Sequence, residues 1–178
     1  GEVMSIGKNF KEAFQKAIRS LETGRYGLGH AKNFDSLSKE ELLKKLIYPT
    51  SERYFIIYEA LRKGATPDEI HELTKIKHYF LEQMKELVEE ENALMANNGS
   101  LPSDEALIQA KKDGFSDKYL GQILSIPEEE VRNKRLALGM KEAWEGVHVS
   151  GTKDSAYYYS TYNAEDKNPV STGKPKVM

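Results

Sequence analysis

Histidine and acidic side chains are the first candidates for chemistry in this chain of 178 residues. His71 and His78 lie seven residues apart, with Glu72 and Glu82 near them, and these residue types can bind zinc. Neither a His-x-x-x-His nor a Glu-x-x-His spacing occurs around them, and they fall on different predicted helices. We therefore interpret both histidines as partly exposed helix residues rather than as metal ligands.

Three other motifs contain residue types that bind ions, phosphates or bases, and each has a simpler structural explanation. The run 89–91 is three glutamates, which on a long helix most simply cover the solvated face. The glycine-rich run 24–29 follows a helix and precedes no strand, so a flexible linker explains it better than a phosphate-binding loop. The tyrosine-rich run 157–162 lacks a basic groove, which favours packing against a neighbouring domain over base stacking. The sequence therefore predicts no catalytic, cofactor-binding or metal-binding residue.

Composition narrows the classes of protein that the chain can belong to. Hydrophobic residues make up 39% and charged residues 30%, which is typical of a folded globular protein. The net charge is -2, so no overall attraction to nucleic acid or to an anionic membrane is expected. The absence of cysteine excludes disulfides, thiolate metal sites and a cysteine nucleophile. No apolar run is long enough to span a membrane and no leader is recognisable, so we expect a cytoplasmic protein without a membrane partner.

The spacing of apolar residues predicts an all-α fold. Predicted helices cover about 10–21, 38–47 and 51–63, a fourth starts at 66, a fifth runs from 78 to the turn at 97–99, and three more cover 103–113, 116–124 and 127–138. Their start signals are Asn9 with Glu12, Ser38 with Glu41, and Thr66 with Pro67. The helix 51–63 is apolar nearly all round, which predicts a central position in the core.

In the fourth and fifth helices we expect one apolar face to point inward, formed by Ile70, Leu73, Phe80, Met84, Leu87, Val88, Leu94 and Met95. Beyond residue 140 the helical pattern fails and glycine, serine and threonine become frequent. The stretch 141–178 is therefore predicted to be an irregular C-terminal connector.

An internal repeat relates two parts of the chain at a shift of fifty residues. The aligned pairs are Gly64 with Gly114, Thr66 with Ser116, Ile70 with Leu120, Leu73 with Ile123, Ile76 with Ile126 and Leu81 with Val131. Each copy contains a glycine, a small capping residue, a short helix, a turn and a second helix. We therefore expect two small helical subdomains, each with a helix-turn-helix-like unit.

The stretch 115–132 also has the spacing of a DNA-reading helix-turn-helix, which gives an alternative function. The spacing depends on small Gly121, on Ile126 in the turn and on inward Val131. The second helix begins with Glu128, Glu129 and Glu130, which would face the phosphates and oppose binding. Acidic residues at a helix start are also favoured by the helix dipole alone. The electrostatics therefore disfavour a nucleic-acid partner.

Segments along nearly the whole chain, in order, resemble the large chain of carbamoyl-phosphate synthetase. The opening residues 1–8, with Phe10, Glu12, Ala13, 15–17 and 20–21, are similar to the end of its first synthetase half. Three further segments are similar to the central region of that large chain: 59–64, 70–76 with 80–81, and 114–117. Residues 157–162 and 176–178 are similar to the approach to its second synthetase half. The stretch 140–155 departs from the family pattern.

The resemblance implies a helical oligomerization domain with pieces of its neighbours. Residues 1–22 would end the first synthetase (ATP-grasp) half, 23–37 would be a linker, 38–140 the oligomerization domain, and 141–178 a connector to the second half. This stretch would be a non-catalytic scaffold without a cofactor of its own. Its partners would be the flanking synthetase halves and other large chains.

The resemblance also implies the activity of the parent protein. That protein makes carbamoyl phosphate from bicarbonate, glutamine-derived ammonia and two ATP, for pyrimidine and arginine biosynthesis. ATP and magnesium or manganese would bind in the flanking halves, and a separate small chain would hydrolyse glutamine.

Overall fold

A computed structural model describes residues 2–31, 33–151 and 157–166 of the chain. These residues form eight α-helices and one two-stranded antiparallel ribbon. The helices are α1 Phe10–Ser20, α2 Lys39–Leu46, α3 Arg53–Arg62, α4 Pro67–Thr74, α5 His78–Met95, α6 Asp104–Lys112, α7 Asp117–Leu124 and α8 Glu128–Ala137; the strands are β1 Ala143–Gly146 and β2 Tyr158–Thr161. The predicted all-α class is confirmed, and none of the described helices is long and apolar enough to cross a membrane.

Local capping residues fix where several helices begin. Ser38 with Glu41 and Thr66 with Glu69 form complete capping boxes at α2 and α4, in which each side chain binds the other residue's backbone N–H. At α1 the Asn9 side chain accepts a hydrogen bond from the Glu12 N–H at 2.9 Å, as expected from the sequence.

The central helix of the core is α3, as its apolar sequence predicts. Residues 55–61 are all buried, so every side of the helix is covered. The helix packs against α2 and α5, while α5 also contacts α1, α4 and α7. Helices from both halves of the chain thus contribute to one apolar cluster, in which Leu42, Ile70, Leu87, Leu107 and Leu124 are fully covered.

Two of the expected inward residues are instead exposed. Ile70 is fully buried in α4, whereas Leu73 is 38% exposed. In α5 the fully buried residue is Leu81, and Phe80 is 40% exposed. The inward face of α5 contains residues 81, 84, 87, 88, 91 and 94, which follows the 3.6-residue repeat, and Phe80 lies one position outside it.

The predicted fifty-residue repeat is confirmed by backbone geometry. Gly64 and Gly114 both have positive φ, at 88° and 96°. At the ends of α4 and α7, Lys75 and Ser125 adopt the left-handed conformation, with φ of 57° and 58°. The chain therefore follows the same path in two units, α3–α5 and α6–α8.

The C-terminal connector is more regular than expected. β1 pairs with β2 in antiparallel register, with Ala143 opposite Thr161 and Gly146 opposite Tyr158. Among the described residues of this mostly irregular connector, regular structure is limited to these two strands, and four residues are too few to show alternation in the sequence. The resembling residues 176–178 lie outside the described part of the chain.

The segment 23–37 is packed against the helices, so the expectation of a flexible linker is wrong. Leu28, Ala31 and Phe34 are buried in the common core. Gly27 lies so close to Tyr119 that a Cβ atom would come within 2.4 Å of its ring. The glycines therefore permit close packing of this segment.

The contrast within α4 yields a stability prediction. Ile70→Ala removes a fully covered side chain, and we expect it to lower the free energy of unfolding by about 2–5 kcal/mol. Leu73→Ala, the matched control in the same helix, should lower it by less than about 1 kcal/mol. Urea denaturation followed by circular dichroism measures both values, and equal losses would contradict the assigned orientation of α4.

Candidate functional site

A buried carboxyl group, that of Glu91 in α5, is surrounded by side chains from other elements of the chain. Its side chain is fully covered. Glu91 Oε2 accepts a hydrogen bond from the Tyr58 hydroxyl at 2.5 Å. Glu91 Oε1 accepts from the Tyr119 hydroxyl at 2.8 Å and from an Arg62 guanidinium N–H at 2.6 Å. The Nε2 atom of His30 lies 3.4 Å from the same oxygen. This Glu91 cluster therefore joins α3, α5, α7 and the segment 23–37.

The electrostatics of the Glu91 cluster keep its tyrosines as hydrogen-bond donors. Burial, followed by the neighbouring Glu91 carboxylate, raises the pKa of Tyr58 and of Tyr119 well above the usual 10. Burial alone would lower the pKa of Arg62, but the attraction of Glu91 outweighs burial and raises it. The cluster is thus a set of donors arranged around one acceptor group.

A second buried network connects α6, α7, α8 and the ribbon. Lys111 Nζ lies 2.7 Å from Asp117 Oδ1 and donates to the Phe115 carbonyl at 2.8 Å. Arg135 Nε donates to Asp117 Oδ2 at 2.7 Å. Burial alone would raise the pKa of Asp117, but Lys111 and Arg135 outweigh it and lower that pKa. Lys111 also lies over the Tyr162 ring, 4.9 Å from its centroid, which attaches the ribbon to the network.

Side chains from α1 and from the segment after β2 donate hydrogen bonds to backbone carbonyl groups between α6 and α7. Gln15 Nε2 donates to the Asp113 carbonyl at 2.9 Å, and an Arg19 guanidinium N–H donates to the Gly114 carbonyl at 2.9 Å. Asn163 Nδ2 donates to the Lys112 carbonyl at 2.8 Å. These bonds satisfy the carbonyls that the end of α6 leaves without helical partners.

A third feature is a pair of carboxyl groups in a cavity of about 380 Å³ between α1, α5 and α6. Burial, followed by the nearby Asp113 carboxylate and a hydrogen bond to it, raises the pKa of Glu90 to about 8, and Lys11 opposes this shift. Gln109 Nε2 donates to Asp113 Oδ2 at 2.9 Å. Lys11 Nζ lies 2.7 Å from Glu86 and 3.8 Å from Asp113. Near neutral pH, Glu90 is therefore the protonated partner of Asp113.

The structure brings together the two histidines that the sequence placed on different helices. The rings of His71 and His78 stack with their centroids 4.1 Å apart. His71 Nδ1 lies 2.7 Å from the Ile76 carbonyl, and His78 Nε2 lies 2.8 Å from Asp68. Across the described residues, no group of three or more His, Cys, Asp or Glu side chains is arranged to hold a metal ion. The absence of metal ligands stays a prediction.

The helix-turn-helix α7–α8 exists, but its basic residues are engaged within the chain. Val131 is fully buried and a Cβ on Gly121 would lie 2.9 Å from the Ile126 carbonyl, as the spacing predicts. Each of the three basic residues of α8 forms an ion pair: Arg132 with Glu128 at 2.9 Å, Lys134 with Asp104 at 2.7 Å and Arg135 with Asp117 at 2.7 Å. Because these cations are already paired, the structure does not favour the DNA-binding alternative.

The tyrosine-rich run divides into bonded and exposed members. Tyr159 donates to Glu145 at 2.9 Å, and Tyr162 donates to Glu142 at 3.2 Å. Tyr157 is 75% exposed and Tyr158 is 54% exposed. The two bonded tyrosines thus donate to carboxylates in β1 and immediately before it, and packing of the run against a neighbouring domain stays a prediction.

The three glutamates of the run 89–91 do not all lie on the solvated face that the sequence predicts for them. Glu89 covers the solvated face as expected, but Glu91 is fully buried. The signal for its burial is positional, because Glu91 lies four residues after Leu87 and three before Leu94, on the apolar face. No local signal identifies Tyr58 and Tyr119 as its partners, since they come from other helices.

The described helices and their internally paired buried charges define a structural domain. A family model described as the carbamoyl-phosphate synthetase large chain, oligomerisation domain, matches residues 2–139. The chain belongs to this family.

The curated relatives are consistent with that assignment. The large chain of carbamoyl phosphate synthase from Archaeoglobus fulgidus is 42% identical over 186 residues, and that from Rhodopirellula baltica is 40% identical over 187. The arginine-specific, chloroplastic large chain of Arabidopsis thaliana is 40% identical over 182 residues. All of this chain is covered in each comparison, but it spans only 15–17% of the length of these relatives.

Glu91→Gln tests the importance of the Glu91 cluster. The amide removes the charge opposite Arg62 and brings N–H donors next to the tyrosine hydroxyls, so we expect a loss of about 3–5 kcal/mol in the free energy of unfolding. Glu89→Gln, two residues earlier on the exposed face, should change it by less than about 1 kcal/mol. Parallel urea titrations give both numbers, and a stable Glu91→Gln variant would show that the cluster is dispensable.

The Glu90 and Asp113 pair predicts a pH dependence of stability. The pKa of Glu90 rises from the usual 4.5 to about 8 on folding. Folding therefore retains a proton that the unfolded chain loses above about pH 4.5, and the stability contributed by this proton falls as the pH rises to about 8. The slope should not exceed about 1.4 kcal/mol per pH unit.

Glu90→Gln should remove that slope, because the amide can donate to Asp113 at every pH. The difference in unfolding free energy between wild type and variant, measured from pH 5 to about pH 9 in steps, isolates this proton from other titrating groups. Parallel curves for the two proteins would contradict the shared proton.

Proposed function

We propose that this chain is the non-catalytic scaffold that links the two ATP-grasp halves of a carbamoyl-phosphate synthetase large chain. The parent would make carbamoyl phosphate from bicarbonate, glutamine-derived ammonia and two ATP, for pyrimidine and arginine synthesis. ATP and magnesium or manganese would bind in the flanking halves, and a separate small chain would supply the ammonia in the cytoplasm. The chain itself would contribute position and assembly.

The proposal is supported mainly by what the buried polar groups bind. Glu91, Lys111 and Asp117 are buried, and each binds donors or acceptors from other elements of the same chain. A catalytic or nucleotide-binding site needs convergent polar groups that remain available to a substrate. Here the strongest groups instead hold helices together, as a scaffold requires.

The geometry at the two sequence ends of the described body also supports a linking role. Lys16 Nζ donates to the carbonyls of both Ile6 and Ser160, so the segment preceding α1 lies beside the ribbon. Lys8 forms an ion pair with Glu145 of β1. Segments far apart in sequence are thus held next to each other. This contact would fix the places at which the parent chain enters and leaves the described body.

We propose the same division of the parent chain as the resemblance implies: the end of the first half at 1–22, a connecting segment at 23–37, the oligomerization domain at 38–140 and a connector at 141–178. The family match spans residues 2–139, so it supports the boundary at 140 and gives no support to those at 22 and 37. Ile18 and Leu28 belong to the common core, so the first two segments would fold together with the third.

Nucleotide binding by the purified chain tests the proposal. We expect no heat of ATP binding by calorimetry with magnesium or manganese present, and no release of phosphate with bicarbonate and ammonia added. Turnover that survives repeated purification and is abolished by Glu91→Gln would overturn the scaffold function. An intact parent protein, expressed from the surrounding gene, is the positive control for the assay.

A further inference from the structure

A small cavity of about 180 Å³ lies where α1, the turn between α6 and α7, α8 and β2 meet. We call it the basic cavity, because five of the described basic side chains line it: Lys16, Arg19, Lys111, Lys118 and Arg135. Pockets for drug-sized ligands have about 300–1,000 Å³. The basic cavity therefore has the size for a small ion rather than for a nucleotide.

Arg19 is a largely buried cation of the basic cavity that lacks a close carboxylate. Its guanidinium donates to the Gly114 carbonyl at 2.9 Å, and it forms no ion pair with any of the described residues. Burial lowers the pKa of Arg19, and the attraction of Glu142 and Glu12 does not outweigh burial. A guanidinium has five N–H donors and is costly to bury without acceptors. Arg19 thus retains donors for a further acceptor.

The carboxylates that line the basic cavity are, by contrast, already engaged. The described residues contribute four, and their partners are Lys16 for Glu12, Lys111 and Arg135 for Asp117, Arg132 for Glu128 and the Tyr162 hydroxyl for Glu142. Five basic groups against four carboxylates leave one positive charge in excess. This excess favours an anion in the cavity.

The basic groups of the cavity are close enough to repel each other. Burial lowers the pKa of Lys111, Asp117 opposes this shift, and the charges of Arg135 and Arg19 add to it. Asp117 is shared between Lys111 and Arg135, at 2.7 Å from each, so it cannot also neutralise Arg19. An anion between these groups would reduce their repulsion.

A neutral donor on β2 faces the same space. Thr161 is only 1% exposed and lines the basic cavity. Its hydroxyl accepts a hydrogen bond from the Asn163 N–H at 3.0 Å, and in the described part of the chain no acceptor takes the hydroxyl proton. Buried hydroxyls normally donate as well as accept. A guanidinium and a hydroxyl that converge on one cavity suit an anion with several oxygen atoms.

We propose that the basic cavity binds a small oxyanion, a phosphate ion or a carboxylate group, through Arg19 and Thr161. The oxyanion is either a free ion or the end of an acidic side chain of the parent protein. Because Arg19 belongs to α1 and Thr161 to β2, the bound group would connect the two sequence ends of the described body. This site is independent of the scaffold function.

Titration of the purified chain with inorganic phosphate tests the site. Proton–nitrogen correlation NMR spectra are recorded at constant ionic strength, adjusted with sodium chloride, so that screening does not change. We expect saturable shifts of the backbone amides of Gly114, Ser116 and Thr161, which line the cavity. Gly64 and Thr66, at the corresponding positions of the first repeat unit, are the internal control and should not shift.

Arg19→Gln removes the charge but keeps an N–H donor for the Gly114 carbonyl, so the variant should fold. We expect its affinity for phosphate to fall at least about tenfold, the loss of one hydrogen bond to a charged group. The matched control is Arg53→Gln, because Arg53 also donates to a carbonyl, that of Leu46 at 3.1 Å, but does not line the cavity. The control should bind phosphate like wild type.

A pair of variants at Thr161 tests the neutral donor separately. Thr161→Ser keeps the hydroxyl and should retain phosphate binding, whereas Thr161→Val removes it and should weaken binding several-fold. Acetate, titrated in the same way, distinguishes the two sources of the oxyanion. Phosphate binding assigns the site to a free ion, and binding of acetate alone assigns it to a carboxylate side chain of the parent protein.

Two outcomes would overturn the proposal. One is a wild-type chain in which neither phosphate nor acetate produces saturable shifts around the cavity. The other is phosphate binding that Arg53→Gln weakens as much as Arg19→Gln does, which would indicate general attraction to surface charge. Neither outcome affects the scaffold function, which fails only if the chain itself turns over ATP.

Discussion

The fold depends on one buried acceptor group, the carboxyl of Glu91. It receives hydrogen bonds from α3 and α7, while its own helix, α5, forms the long axis of the first repeat unit. A Cβ on Gly29 would lie 2.4 Å from this carboxyl and from Arg62, so only glycine lets the segment 23–37 approach it. An unpaired carboxyl at this depth would be costly, and each donor is therefore constrained to stay in place. The contacts between the two units follow from this constraint.

The repeat explains why such a constraint is needed. Each unit has the same glycine, capping residue and left-handed turn, which define three helices but leave one apolar face uncovered. Apolar contact alone allows two such faces to slide or rotate, whereas a hydrogen bond requires one register. Tyr119 of the second unit meets Glu91 of the first at a single position. The buried polar group thus gives the packed units a defined orientation.

Most of the helices could be predicted from the sequence, because their signals are local. Capping pairs such as Ser38 with Glu41 lie within one turn, and the apolar spacing of α5 is visible over 18 residues. The candidate site could not be predicted, because a glutamate is normally exposed and the partners of Glu91 are 28 and 33 residues away in sequence. The ribbon was missed for the same reason, since β1 and β2 are short and pair over a long connection. Information that is not local in the chain is what the structure adds.

In the described body, buried polar groups and exposed aromatic groups have different roles. Buried charges such as Lys111 and Asp117 pair with other elements of the chain itself. The exposed aromatic side chains of Tyr79 and Phe80, by contrast, leave apolar area in contact with water. If the chain is the proposed scaffold, the internal pairs would serve it, because a connector transmits the relative position of its neighbours only if it is rigid. Such pairs lie inside the body and would provide that rigidity without using the outer surface.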